Sequence, residues 1–173
     1  MSGEHWLALL IRHTPAGERP GWDEVIVGYD FGFLAPETIL AWVRRQGAEG
    51  PACLDLLALE GIGMLEFEAT LWDACAESTG KVPRPGSRRW ERAQDRWRLA
   101  LLKDALDAPL TLQALGLAVE AIYERVGCPE DMLGLWRKTG PGKEANLAAI
   151  AAFLDRQERR LAENCPGHPV KTC

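Results

Sequence analysis

GYDFGFLAPETILAWV, residues Gly28 to Val43, is the stretch on which the reading of the fold turns. Its first part, Gly28 to Pro36, sets three aromatics, two glycines and a proline between two segments of helical periodicity. Before it, Trp22, Val25, Ile26 and Tyr29 recur at the i, i+3, i+4, i+7 spacing that gathers side chains on one buried helix face. Gly32 stands where a helix closes with a left-handed residue, and Phe33 follows as the hydrophobe that folds back on the last turn. Pro36 suits the first position of a new helix and Glu37 suits its positive end. Ile39, Leu40, Trp42 and Val43 carry that helix on. The stretch therefore reads as a tight helix–corner–helix whose aromatics clamp the turn, a scaffold feature and not a recognition surface.

The same periodicity extends along the chain. A short helix is expected at Glu4 to Arg12, another at Leu54 to Leu59, and a longer one at Met64 to Glu77. In the last, Met64, Phe67, Leu71 and Cys75 gather on a core side while Glu66, Thr70, Asp73 and Glu77 line an acidic one, with Glu68 out of pattern on the apolar side. Ser78 to Ser87, STGKVPRPGS, reads as a Pro/Gly-rich loop, a mobile excursion rather than a domain boundary. Ser87 is placed to cap a long helix to Asp107, in which Trp90, Trp97 and Leu101 oppose Leu99, Leu102 and Leu106, so that it is expected to be surrounded. Thr111 caps a helix to Gly127 with Leu112, Leu115, Val119, Ile122, Tyr123 and Val126 inward and Gln113, Glu120 and Glu124 outward. Pro129 to Trp136 and Glu144 to Glu163 complete the set, the last buried through Leu147, Ile150, Leu154 and Leu161. Strand signals are nearly absent. The expectation is an all-α protein, an irregular multi-helix bundle or array with short turns, forming a single domain over 1–163 with a disordered tail at 164–173.

Composition bounds the function. A chain of 173 residues with 47% hydrophobic and 26% charged residues can bury a core without staples. Its net charge of -5 repels nucleic acid and anionic membranes and favours a basic partner. The apolar run in WLALLIR near the start is six residues long, has no basic region before it and falls far short of a membrane span. Five scattered cysteines fit a reducing compartment, so a cytoplasmic location is expected, with Cys53, Cys75 and Cys128 as small core residues.

Sequence patterns for catalysis, phosphate cradling and metal binding are missing: no G-x-S-x-G, G-x-x-x-x-G-K-[ST], H-E-x-x-H or C-x-x-C occurs. Cys165, His168 and Cys173 make only three ligands on a Pro-rich terminus, so neither a metal nor a cofactor is expected. Trp22, Trp42, Trp72, Trp90 and Trp97 lie on or beside apolar stripes and read as core. Arg84 to Arg98 is the nearest approach to a nucleic-acid patch, but Glu91 and Asp95 dilute it into a solvated, salt-laced helix face. The carboxylates Glu66, Asp73 and Glu77, with Glu120 and Glu124 on another outward face, are the candidate partner-binding residues, suited to electrostatic recognition rather than acid–base work.

Two blocks carry a resemblance. Trp22, Asp23, Val25, Gly28, Tyr29, Gly32, Phe33, Leu34 and Ile39 fit a helix start followed by a G-Y-x-x-G-[WF]-[LI] corner. Trp97, Leu101, Leu102, Lys103, Val119, Glu120, Ile122, Tyr123, Pro129 and Glu130 fit W-x-x-x-L-L-K and A-[IV]-E-x-I-Y followed by P-E. Over most of Trp22 to Arg137 the chain resembles a bacterial family of helical proteins of unassigned molecular activity. That family includes immunity proteins, the antitoxins of secreted polymorphic toxins. The resemblance implies an immunity protein, not an enzyme, that binds and neutralises a cognate toxin effector domain by direct contact. The insertion at 78–87 and Ala35, where a capping Ser is more usual, depart from the pattern. A helical adaptor or regulator that binds a host protein or peptide is the alternative, and an apolar groove between helices would favour it; an enzyme would need a pocket of convergent ionisable groups.

Overall fold

The computed structural model describes residues 3–13, 19–47, 50–59, 64–139 and 145–163, and among them there are helices and no strands. The α-helices are α1 (Gly3–His13), α2 (Trp22–Asp30), α3 (Pro36–Gln46), α4 (Pro51–Ala58), α5 (Met64–Thr79), α6 (Arg88–Asp107), α7 (Leu112–Arg125), α8 (Leu133–Thr139) and α9 (Leu147–Glu163), with a 3-10 turn at Glu130–Met132 leading into α8. The all-α multi-helix reading holds. The expected tail at 164–173, including Cys165, His168 and Cys173, lies outside the described residues.

The chain divides into two compact units, Met1–Ala93 and Gln94–Cys173, with the boundary inside α6. In the first unit the corner closes as its sequence predicts. Gly32 adopts φ +67°, its N–H donates to the Tyr29 carbonyl at 2.9 Å, and the Phe33 N–H reaches back to the Gly28 carbonyl at 2.8 Å. This pair of bonds is the Schellman closure of α2. Phe33 is buried against Trp6, with ring centroids 5.1 Å apart, and the next helix starts at Pro36 without a side-chain cap from Ala35. A Cβ at Gly32 would meet nothing within 4 Å, so its requirement for glycine is conformational alone. Gly32→Ala is expected to cost about 1–2 kcal/mol, the penalty of a left-handed L-residue, read as a shift in the urea midpoint at unchanged slope.

At the start of α2 the Gly21 N–H donates to the Glu24 carboxylate at 2.7 Å. Val25, Ile26, Ile39, Leu40, Val43, Leu56, Phe67, Leu71 and Cys75 are all buried, and α5 packs against both α4 and α2. In the second unit Leu115, Val119, Ile122, Val126, Met132, Leu135, Ile150, Phe153, Leu154 and Leu161 form the core. There Thr111 accepts the Ala114 N–H at 3.2 Å and caps α7, while Asn146 accepts from Ala149 at 3.0 Å and opens α9 slightly later than the sequence suggests.

Several expected core positions are exposed instead. Leu112 and Leu147, the first residues of α7 and α9, are both exposed. Leu106, near the end of α6, is also exposed, although the rest of that helix's two apolar stripes is buried. Cys128 is exposed with φ +52°, because it follows the left-handed Gly127 that closes α7. Its N–H donates to the Tyr123 carbonyl, which turns its side chain out of the core.

The face of α6 expected to be solvated is the largest departure. Asp95, Arg96 and Arg98 are buried, and so are Trp90 and Trp97, so neither tryptophan of this stretch presents a ring for a base to stack on. Arg98 pairs with Asp95 on its own helix and with Asp131 beyond α7, and Arg160 of α9 bonds Asp95 at 2.9 Å. Gln157 donates to Asp131 at 3.1 Å. Burial pushes the Asp95 carboxyl above its usual range, and Arg98 and Arg160 offset that only in part. The charges of this stretch thus hold α6, the 3-10 turn and α9 of one unit together.

Candidate functional site

The first unit carries an open cleft of about 870 Å³, built where the α2–α3 corner, α5, the loop at 80–87 and the first turn of α6 meet. The corner contributes Tyr29, Asp30, Leu34 and Pro36 to it, so the segment expected to be scaffold alone is also a wall of this cleft. From α5 come Glu68 and Trp72, and from the loop Val82, Pro83, Arg84 and Pro85. Trp72 is 46% exposed, which corrects its reading as a core residue.

The geometry of α5 explains that correction. At about 100° per residue the helix has three faces rather than two. Phe67, Leu71, Ala74 and Cys75 face the core and are buried. Glu66, Asp73 and Glu77 form the acidic stripe and are exposed. Between these lie Leu65, Glu68, Ala69 and Trp72, a third face whose largest apolar members are exposed, Leu65 at 85%. Glu68, out of pattern in a two-faced reading, belongs to this third face.

The loop opposite is held by hydrogen bonds at both ends. The Arg89 guanidinium is bidentate on Asp23, with Nε 2.9 Å from Oδ2, and it also donates to the Lys81 carbonyl at 2.7 Å and to Thr79 Oγ1 at 2.9 Å. Ser87 accepts from the N–H groups of Arg84 at 3.2 Å and Trp90 at 3.3 Å, which caps α6 and turns the loop at once. On its other side the same loop borders a smaller hollow of about 710 Å³, lined by Lys81, Arg84, Arg88 and Arg89.

The described lining carries two carboxylates, Asp30 and Glu68, and one guanidinium, Arg84. Among the described residues no ion pair joins Asp30 or Glu68 to a basic side chain. Burial pushes the Asp30 carboxyl above its ordinary range, and burial together with the Glu68 charge raises the Tyr29 phenol.

The sequence-derived candidates fall in different places. Glu66, Asp73 and Glu77 are together on α5 in the first unit, whereas Glu120, half-buried, and Glu124, exposed, are on α7 in the second. Glu77 also serves the fold, since it accepts the Ala52 N–H at 3.1 Å, and a Cβ on Gly50 would fall 2.3 Å from its Oε2. It caps the N-terminus of α4 in place of the side chain that Gly50 lacks. Reversing all three charges on α5 would therefore mix a fold defect with a recognition defect. Glu66→Lys with Asp73→Lys is the clean variant, and it is expected to leave thermal unfolding within about 0.5 kcal/mol of wild type while slowing capture of a basic partner several-fold at low salt. Stopped-flow association at two ionic strengths checks this; a rate independent of both substitution and salt would take this face out of the encounter.

Among the described residues no group of three or more His, Cys, Asp and Glu comes together that could hold a metal ion, and no helix is long and apolar enough to cross a membrane. No protein-family model, curated protein or solved structure matches the chain. What fold and site define is thus a helical protein with an open cleft lined by aromatic, apolar and acidic side chains.

Proposed function

We propose that this protein acts by binding another protein, that it is an immunity protein of the bacterial cytoplasm which neutralises a toxin domain by direct contact, and that the cleft of its first unit is the recognition surface. The observation that carries the binding reading is Trp72, a large aromatic left 46% exposed in a cleft that it shares with the carboxylates of Asp30 and Glu68 and that is walled by helices and a tethered loop. Aromatic anchors in desolvated pockets dominate protein–protein affinity. The immunity role rests on the resemblance of the corner and of the α6–α7 blocks to a family that contains such proteins.

The adaptor reading keeps one observation in its favour. The cleft is lined mainly by apolar side chains, among them Leu34, Pro36, Val82 and Pro83, which suits an extended peptide segment as well as a folded toxin's loop. Co-expression with the product of the neighbouring gene separates the two. Immunity predicts that cells making that product survive only with this chain present and that the two co-purify; survival without it, or no complex, overturns the immunity role.

A further inference from the structure

We propose that the cleft is an anchor site for one arginine or lysine side chain of a partner protein, the alkyl stem lying on Trp72 and the charged end neutralised by Asp30 and Glu68; this rests on the cleft being the recognition surface. Three features point to a cation. The lining holds two carboxylates against one guanidinium, and among the described residues neither carboxylate is paired. Tyr29 and Trp72 place two aromatic rings in the lining, and the negative quadrupole of a ring face attracts ammonium and guanidinium groups. Leu34 and Pro36 supply an apolar wall of the kind that accommodates the methylene stem of a snorkelling side chain.

An anionic occupant fits less well, since it would meet the two carboxylates of the lining, Asp30 and Glu68, against the single guanidinium of Arg84. The occupant is a chain segment rather than a free amino acid because the exposed face of α5 continues beyond Trp72 through Ala69 to Leu65, offering apolar contact to a neighbouring residue. The net charge of -5 steers a basic surface toward the protein in the same sense.

The probe is the blocked pentapeptide Ala-Leu-Arg-Leu-Ala, compared with the same peptide carrying citrulline, the neutral isostere, in place of Arg. Binding is followed through the Trp72 indole N–H resonance, identified by its loss in Trp72→Phe. The Arg peptide should shift that resonance and bind about tenfold more tightly than the citrulline peptide, as a cation–π contact and paired carboxylates require. In Asp30→Asn/Glu68→Gln the preference should vanish. Equal binding of the two peptides, no shift with either, or a preference that survives in the double variant overturns the cation anchor. Capture of the natural partner separates this from the broader reading. If the double variant captures it as wild type does and Trp72→Ala does not, the cation anchor is wrong and the cleft reading stands. If Trp72→Ala also captures it normally, the cleft reading fails.

Discussion

Replacing Arg98 by Ala is expected to destabilise the protein by about 3–5 kcal/mol, the cost of stranding buried charges. The side chains of Arg98 and Asp95 are each 2% exposed, and Arg98 bridges Asp95 to Asp131. With the guanidinium gone, Asp95 keeps Arg160, whose side chain is 41% exposed and partly screened by water. Burial holds the Asp95 carboxyl above its ordinary range against the pull of Arg98 and Arg160, and a buried ion pair of this kind stabilises little beyond an apolar pair of the same size while each member depends on its partner. Asp95→Leu combined with Arg98→Met should therefore be less destabilising than Arg98→Ala alone, and urea unfolding at matched slope measures both. A pH series adds a signed check. The folded pKa of Asp95 lies above its unfolded value of 3.8, so the folded state holds the proton longer and this group's contribution to stability falls as pH rises through the window just above 3.8. Asp95→Asn should abolish that component of the pH slope.

Trp72→Ala is expected to weaken the complex with the partner by about 2 kcal/mol or more, roughly thirtyfold in Kd, while changing stability little. The asymmetry follows from its position. The indole is 46% exposed and the core face of α5 is filled by Phe67, Leu71, Ala74 and Cys75, so truncation opens no internal cavity. Circular dichroism and titration calorimetry on the same samples read the two effects separately. A large loss of stability with unchanged affinity would return Trp72 to the core, where its sequence context first placed it.

That misplacement shows what the sequence makes legible. The corner at Gly28 to Phe33 could be read because each residue type answers a local demand: a left-handed φ at Gly32, a fold-back hydrophobe at Phe33, a helix start at Pro36. Caps at Ser87 and Thr111 were legible for the same reason. Exposure of Trp72 was not, because spacing assigns residues to faces but does not say which apolar face a neighbour covers. The signal available was α5 itself, where Leu65, Glu68, Ala69 and Trp72 form a face distinct from both the core and the acidic stripe. The burial of Asp95 and Arg98 was hidden too, since their partners, Asp131 and Arg160, lie far along the chain. Glu77 looked like any exposed acid on its stripe until Ala52, 25 residues away, proved to need it.

Hydrogen exchange on the protein alone and in complex with its co-purified partner tests the central claim most directly, that the cleft of the first unit is where the partner binds. Amides of the corner at 30–34 and of the loop at 80–87 line or border the cleft at or beyond helix ends, so contact there registers as slowed exchange. Binding in the cleft predicts that these amides gain protection in the complex and that Trp72→Ala abolishes the gain. Protection confined to α7, α8 and α9, with the corner and loop exchanging as in the free chain, would contradict it.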